Sequence, residues 1–126
     1  MNIELKNELI RIGKTTEGLS GQFYFGHPKD EDKYPYGLLS SVTGVDDEDQ
    51  EDDYLEEYVQ VTLYGEDYEL LEAASEDLHS KLQHKEDTFN MTGYNVDQIY
   101  REFKKVTENE FIWQIVMQYV IQLTKI

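Results

Sequence analysis

The sequence has no cysteine among its 126 residues. That excludes a disulfide framework, thiolate zinc sites and a cysteine nucleophile, and it fits a reducing compartment such as the cytosol. Bases are scarce as well. Eleven Lys and Arg stand against 27 Asp and Glu, a net charge of −16 that repels nucleic-acid phosphates and anionic membrane surfaces. Long apolar runs are missing: the most apolar stretch, 111–123, is interrupted by Gln114, Gln118 and Gln122 and is shorter than the roughly 20 residues that cross a bilayer. The opening residues carry Glu4 and Glu8 inside their apolar pattern, without the basic start and continuous apolar core of a secretion signal. In that context Asn90-Met91-Thr92, a formal glycosylation triplet, reads as chance.

Catalytic signatures are absent too. The sequence contains no nucleophile elbow, phosphate-cradling Gly loop, His-Glu-x-x-His pair or dinucleotide fingerprint, which argues against an enzyme and gives no cofactor to expect. Of the histidines His27, His79 and His84, the last two lie five apart, about 140° around a helix, which spoils shared metal coordination. They are expected on the surface, and no metal site is expected. Glu66-Asp67 and Glu76-Asp77 read as helix-start charge and solvated face.

What is present describes a folded chain. A length of 126 residues suits one domain, 1–126, and 39% hydrophobic content with ten Tyr and five Phe is enough for a core. Leu5, Leu9 and Ile12 at spacings of four and three predict a helix over 2–12, ended by Gly13. Gln22-Phe23-Tyr24-Phe25, closed by Gly26-His27-Pro28, reads as a strand, and 36–43 as a second one ending at Gly44. Leu55, Glu57, Val59, Val61 and Leu63 alternate with Glu56, Tyr58, Gln60, Thr62 and Tyr64, so a third strand has one wet face and breaks at Gly65. Asp67 then caps a helix whose core face is Leu71, Ala74, Leu78 and Leu82.

The segment 111–125 decides the fold class. Helical spacing strands Phe111, Trp113, Met117 and Ile121 on the wrong side. Alternation puts Phe111, Trp113, Ile115, Met117, Tyr119, Ile121 and Leu123 on one face, sealed beneath the helices. A weaker strand over 95–106, with Ile99, Arg101, Phe103 and Lys105 on one side, and a turn at Thr107-Glu108-Asn109-Glu110 complete a long antiparallel hairpin. The expected architecture is α+β: a mixed or antiparallel sheet of about five strands, two helices on one face, and a long C-terminal hairpin.

One charge feature stands apart. Residues 46–57 hold nine acids and no base, leaving 18 acids against 11 bases elsewhere. Asp46, Asp47, Glu48, Asp49, Glu51, Asp52 and Asp53 read as a solvated, flexible loop over 46–53 rather than a calcium site, because an EF-hand begun at Asp46 has Glu51 where the sharp turn needs Gly. Beside it, Tyr54, Tyr58 and Tyr64 sit on or near the polar side of the third strand. They read either as an assembly surface or as packing under the second helix.

In sum, a Pro-Tyr-led strand (Pro35-Tyr36-Gly37-Leu38-Leu39), a variable polar loop and an alternating strand through Val59-Gln60-Val61-Thr62-Leu63-Tyr64 are followed by a Gly-Glu-Asp turn into a Leu/Ala-rich helix and a closing hairpin. This layout resembles the tail-terminator and head–tail completion proteins of tailed bacteriophages and prophages. The resemblance implies a non-enzymatic subunit made in the bacterial cytoplasm and carried in the virion neck. It implies assembly as a ring, commonly six-membered, on the tail tube, with tail-tube and connector proteins as partners. DNA would be cargo that slides past without sticking, and surplus carboxylates at 46–57 bordering such a channel would supply the repulsion. The competing expectation is an acidic DNA mimic that blocks a nucleic-acid-binding enzyme, although a mimic spreads its carboxylates evenly and a third of the acids here sit in one segment.

Overall fold

Asn2 opens the first helix: its side-chain oxygen accepts from the Leu5 backbone N–H at 3.0 Å, satisfying one of the donors that a helix start leaves free. In the computed structural model, which describes residues 1–30, 33–42 and 53–126, helix α1 covers Ile3–Gly13. It is followed by β1 (Phe23–Phe25), β2 (Tyr36–Ser41), β3 (Tyr54–Gly65), α2 (Tyr68–Leu82), a short 3-10 turn at Glu86–Thr88, β4 (Tyr94–Asn109) and β5 (Ile112–Lys125). Thr43 and Gly44, expected at the end of the second strand, and the acidic residues 46–52 lie outside the described residues.

The strands form one sheet in the order β1-β2-β3-β5-β4. β1 and β2 run parallel and every other neighbour is antiparallel, so the sheet is mixed. β3 is the hub: Leu63 pairs with Gly37 on one side and Ile115 on the other, and its ladder with β5 extends from Tyr54↔Thr124 to Gly65↔Trp113. Alternation explains which side chains face the helices. Val59, Val61 and Leu63 from β3 and Ile115, Met117, Tyr119, Ile121 and Leu123 from β5 are all buried, in one cluster with Leu5, Leu9 and Ile12 of α1 and Leu71, Ala74, Leu78 and Leu82 of α2. Each fully buried Leu or Ile contributes about 1.5–3 kcal/mol through removal of apolar surface from water. The α+β architecture, the five strands, the two helices and the long hairpin are those expected from the pattern.

Three details differ from the sequence expectation. Gly13 is the last helical residue rather than the stop, and its bare Cα faces the Phe23 ring. The hairpin turns at Glu110 and Phe111, both with positive φ (50° and 72°), so β4 runs on through Asn109 and Phe111 is 88% exposed at the tip instead of sealed beneath a helix. Finally, β4 slips register between Val96 and Gln98 and again between Arg101 and Phe103. Each extra residue flips the alternation beyond it. Lys104, opposite Met117, therefore faces α2, whereas Phe103, opposite Gln118, lies on the other face.

Candidate assembly surfaces

Of the residues singled out in the sequence, Asp46, Asp47, Glu48, Asp49, Glu51 and Asp52 lie outside the described residues. Asp53 is exposed, and its carbonyl accepts from the Lys125 N–H at 2.7 Å, tying the start of β3 to the end of β5. Tyr54 and Tyr58 lie on the sheet face away from the helices, and both hydroxyls donate to the Glu56 carboxylate between them. That hydrogen bond, with a smaller part from burial, pushes the Tyr58 phenol up to about 12. Tyr64 is half-buried at the far end of the same face. Its ring centroid is 5.1 Å from that of Tyr36, which stacks in turn on Tyr34 at 5.5 Å. None of the three tyrosines packs under α2, so that alternative is overturned.

The outer face is finished as a polar network. Gln118 donates to Glu102 at 2.6 Å and Gln60 to Thr62 at 3.3 Å, while Val120, opposite Tyr58 and Tyr100, is only 1% exposed. Strands alternate by two, so the same β3 pattern that sends Val59 and Val61 into the core lines up Glu56, Tyr58 and Gln60 here.

A second polar cluster, between α2 and the hairpin, was missed in the sequence. Glu72, Glu76 and His79 occupy consecutive turns of α2 beside its Leu stripe. Lys104 donates to Glu72 and, at 2.7 Å, to Glu76, and Arg101 stands 3.6 Å from Glu76. The Lys104 hydrogen bond holds the Glu76 carboxyl below its ordinary range. His79 is partly buried, not a free surface residue, with Nδ1 2.8 Å from the hydroxyl of the wholly buried Tyr119. Burial first, and then the nearby Arg101 guanidinium, lower the His79 pKa. The sequence signal was the i, i+4, i+7 row itself; Arg101 shares the Ile99 face by simple alternation, but Lys104 came within reach only through the bulge in β4.

Glu4 and Glu8, one turn apart on α1, clamp the chain before β4. Glu4 accepts from the Thr92 and Gly93 N–H groups at 3.0 and 3.1 Å, and Glu8 accepts from Asn90 and is bridged by Arg11 at 2.9 Å. Hydrogen bonds from Thr92 and Arg11, respectively, lower the two carboxyl pKa values. Asp77, expected on a solvated face, accepts from the Glu17 N–H and from Lys81, both at 2.9 Å. Among the described residues, no three His, Asp or Glu side chains converge to hold a metal ion, and no helix is long and apolar enough to cross a membrane.

No family model matches the sequence, and no curated protein matches it. The fold does have a counterpart. A chain in a solved structure described as "Virion of native gene transfer agent (GTA) particle" superimposes with a TM-score of 0.67 at 12% identity, over 96% of this chain and 89% of that one. The likeness is one of fold.

Proposed function

We propose that this chain is a non-enzymatic structural subunit of a phage-like virion, a tail terminator or head–tail joining protein that assembles as a ring, six-membered in the simplest case, at the end of a tail tube. The observation that carries the proposal is the fold shared over nearly the whole chain with a component of a virion particle. Its partners in this reading are further copies of itself, tail-tube protein and connector protein. The acids of 46–57 border the lumen, where they keep passing DNA from sticking. Tyr54, Tyr58 and Tyr64 then belong to an assembly surface.

The DNA-mimic alternative gains nothing from the structure. A mimic needs carboxylates displayed to a partner, and Glu4, Glu8, Glu76 and Asp77 are engaged within the chain.

The test is removal of the chain from cells that make the particle. Filled heads and completed tails that fail to join are the expected products, restored by supplying the chain in trans. Infectious or DNA-delivering particles made at full yield without it would overturn the proposal. Replacing the acids of 46–57 with Asn and Gln should leave the fold intact while lowering DNA passage, and unchanged delivery would remove the lumen assignment alone.

A further inference from the structure

The sheet ends in two unlike edges. β4 is one of them, and the first half of its outer edge is closed by the chain itself. The Ile99 N–H donates to Glu86 at 3.1 Å, the Arg101 N–H donates to Gln83 at 2.8 Å, and the Ile99 carbonyl accepts from the His84 N–H at 3.1 Å. From Phe103 to the turn, no comparable cover occurs among the described residues, and Phe103 and Val106 are 44% and 37% exposed. The turn ends in Phe111, fully presented to solvent with φ 72°, a left-handed backbone that glycine or asparagine adopts with less strain. Glu108 and Glu110 flank it, and neither meets a base among the described residues. An aromatic ring held at an exposed tip in a disfavoured backbone points to a role outside the monomer's own packing.

The opposite edge has the complementary character. Between α1 and β1 runs an open groove floored by Ile10, Phe23 and Phe25 and rimmed by Lys6 and Lys14. Lys6 Nζ sits 5.1 Å from the Phe25 ring centroid, Phe25 itself is 45% exposed, and neither lysine meets a carboxylate among the described residues. In a chain of net charge −16, two lysines over an aromatic floor form a local exception.

We infer that the β4–β5 hairpin tip of one copy docks in the α1/β1 groove of the next, with Phe111 against Ile10 and Phe25 and with Glu108 and Glu110 against Lys6 and Lys14. Charge complementarity names a second copy as the occupant: an acidic, aromatic tip and a basic, apolar groove are carried by the same molecule on opposite edges of one sheet. Two different patches joined head to tail make a heterologous contact, which closes into a ring when the rotation between copies permits. This inference rests on the ring reading above and gives it a contact surface.

The absence of native cysteine makes a direct test possible. The chain carrying Glu110→Cys with Lys14→Cys is oxidised, and the products are separated under denaturing conditions. A ladder of dimers, trimers and larger species is expected, whereas Asp87→Cys with Lys14→Cys, placed beside the closed half of β4, stops at random dimers. No ladder, or an equal ladder from both pairs, overturns the docking. Light scattering on the cysteine-free chain separates the two levels. Association without the specific ladder moves the contact elsewhere and leaves the ring reading standing, whereas neither association nor ladder removes both. As a second measurement, Lys14→Glu should raise the concentration needed for association about fivefold, and Glu110→Lys in the same chain should restore it. Failure of the swap to restore association counts against the pairing.

Discussion

The Phe23 ring occupies the space where a side chain on Gly13 would be: a Cβ built there lies 2.2 Å from the ring's Cδ1. The ring is hemmed on its other side by Gly37, where a Cβ would come within 2.5 Å of Cδ2. Two glycines from α1 and β2 thus let one aromatic side chain join the helix to the sheet.

Gly13→Ala is therefore expected to destabilise the fold although it improves a helical position. Ala gains about 1 kcal/mol of helix propensity over Gly, but overpacking a closed site costs about 1–3 kcal/mol, and Phe23, 1% exposed, has little room to retreat. A lower urea midpoint at unchanged slope is the expected result, and a raised midpoint would show that the ring moves freely.

The His79–Tyr119 pair predicts a pH dependence with a defined sign. The folded state holds the imidazole pKa below the ordinary value of 6.5, so the unfolded chain takes up the proton first as acid is added. Stability from this group is complete above that value and is lost as pH falls through the lower folded pKa. The carboxyls of Glu8, Glu76 and Asp77, also lowered, add their own loss at more acid pH, below 4.5 for the glutamates and 3.8 for the aspartate. Thermal melts of the parent and His79→Gln chains across this range test it. The variant should lose the early acid slope and keep the later one, whereas parallel curves would show that His79 does not titrate on unfolding.

The hairpin tip yields a prediction in which stability and association move in opposite directions. Glu110→Asn with Phe111→Gly supplies the residue pair that a two-residue turn with positive φ at both positions favours. Relief of two left-handed non-glycine residues should raise unfolding stability by about 1–2 kcal/mol while self-association falls. A stabilised chain that still associates as before would show that the aromatic tip has no part in the contact.

Much of the fold could be read from periodicity. The stripe Leu71, Ala74, Leu78 and Leu82 and the alternation Ile115 to Leu123 survive in the structure because a buried face tolerates no change of period. The Asn2 cap and the two bulges in β4 left no comparable trace. A bulge adds one residue without changing composition, so Lys104 could not be assigned to the helix side from spacing alone. Glu110-Phe111 lacks the Asn-Gly signature that would have marked the turn. For the candidate surfaces, Tyr54, Tyr58 and Tyr64 were visible as members of a wet face. The pairing of His79 with Tyr119 required knowing which strand crosses α2, a long-range fact that no local pattern contains.

The insertion of β5 between β3 and β4 has a consequence for synthesis. β3 leaves the ribosome well before the strand that completes it, so the nascent chain carries an open ladder edge on the central strand of its sheet until Ile112–Lys125 follows. A product truncated ahead of Ile112 would have both helices and most of the core residues, yet it would expose that edge to its neighbours and be driven towards inclusion bodies rather than towards a smaller native form.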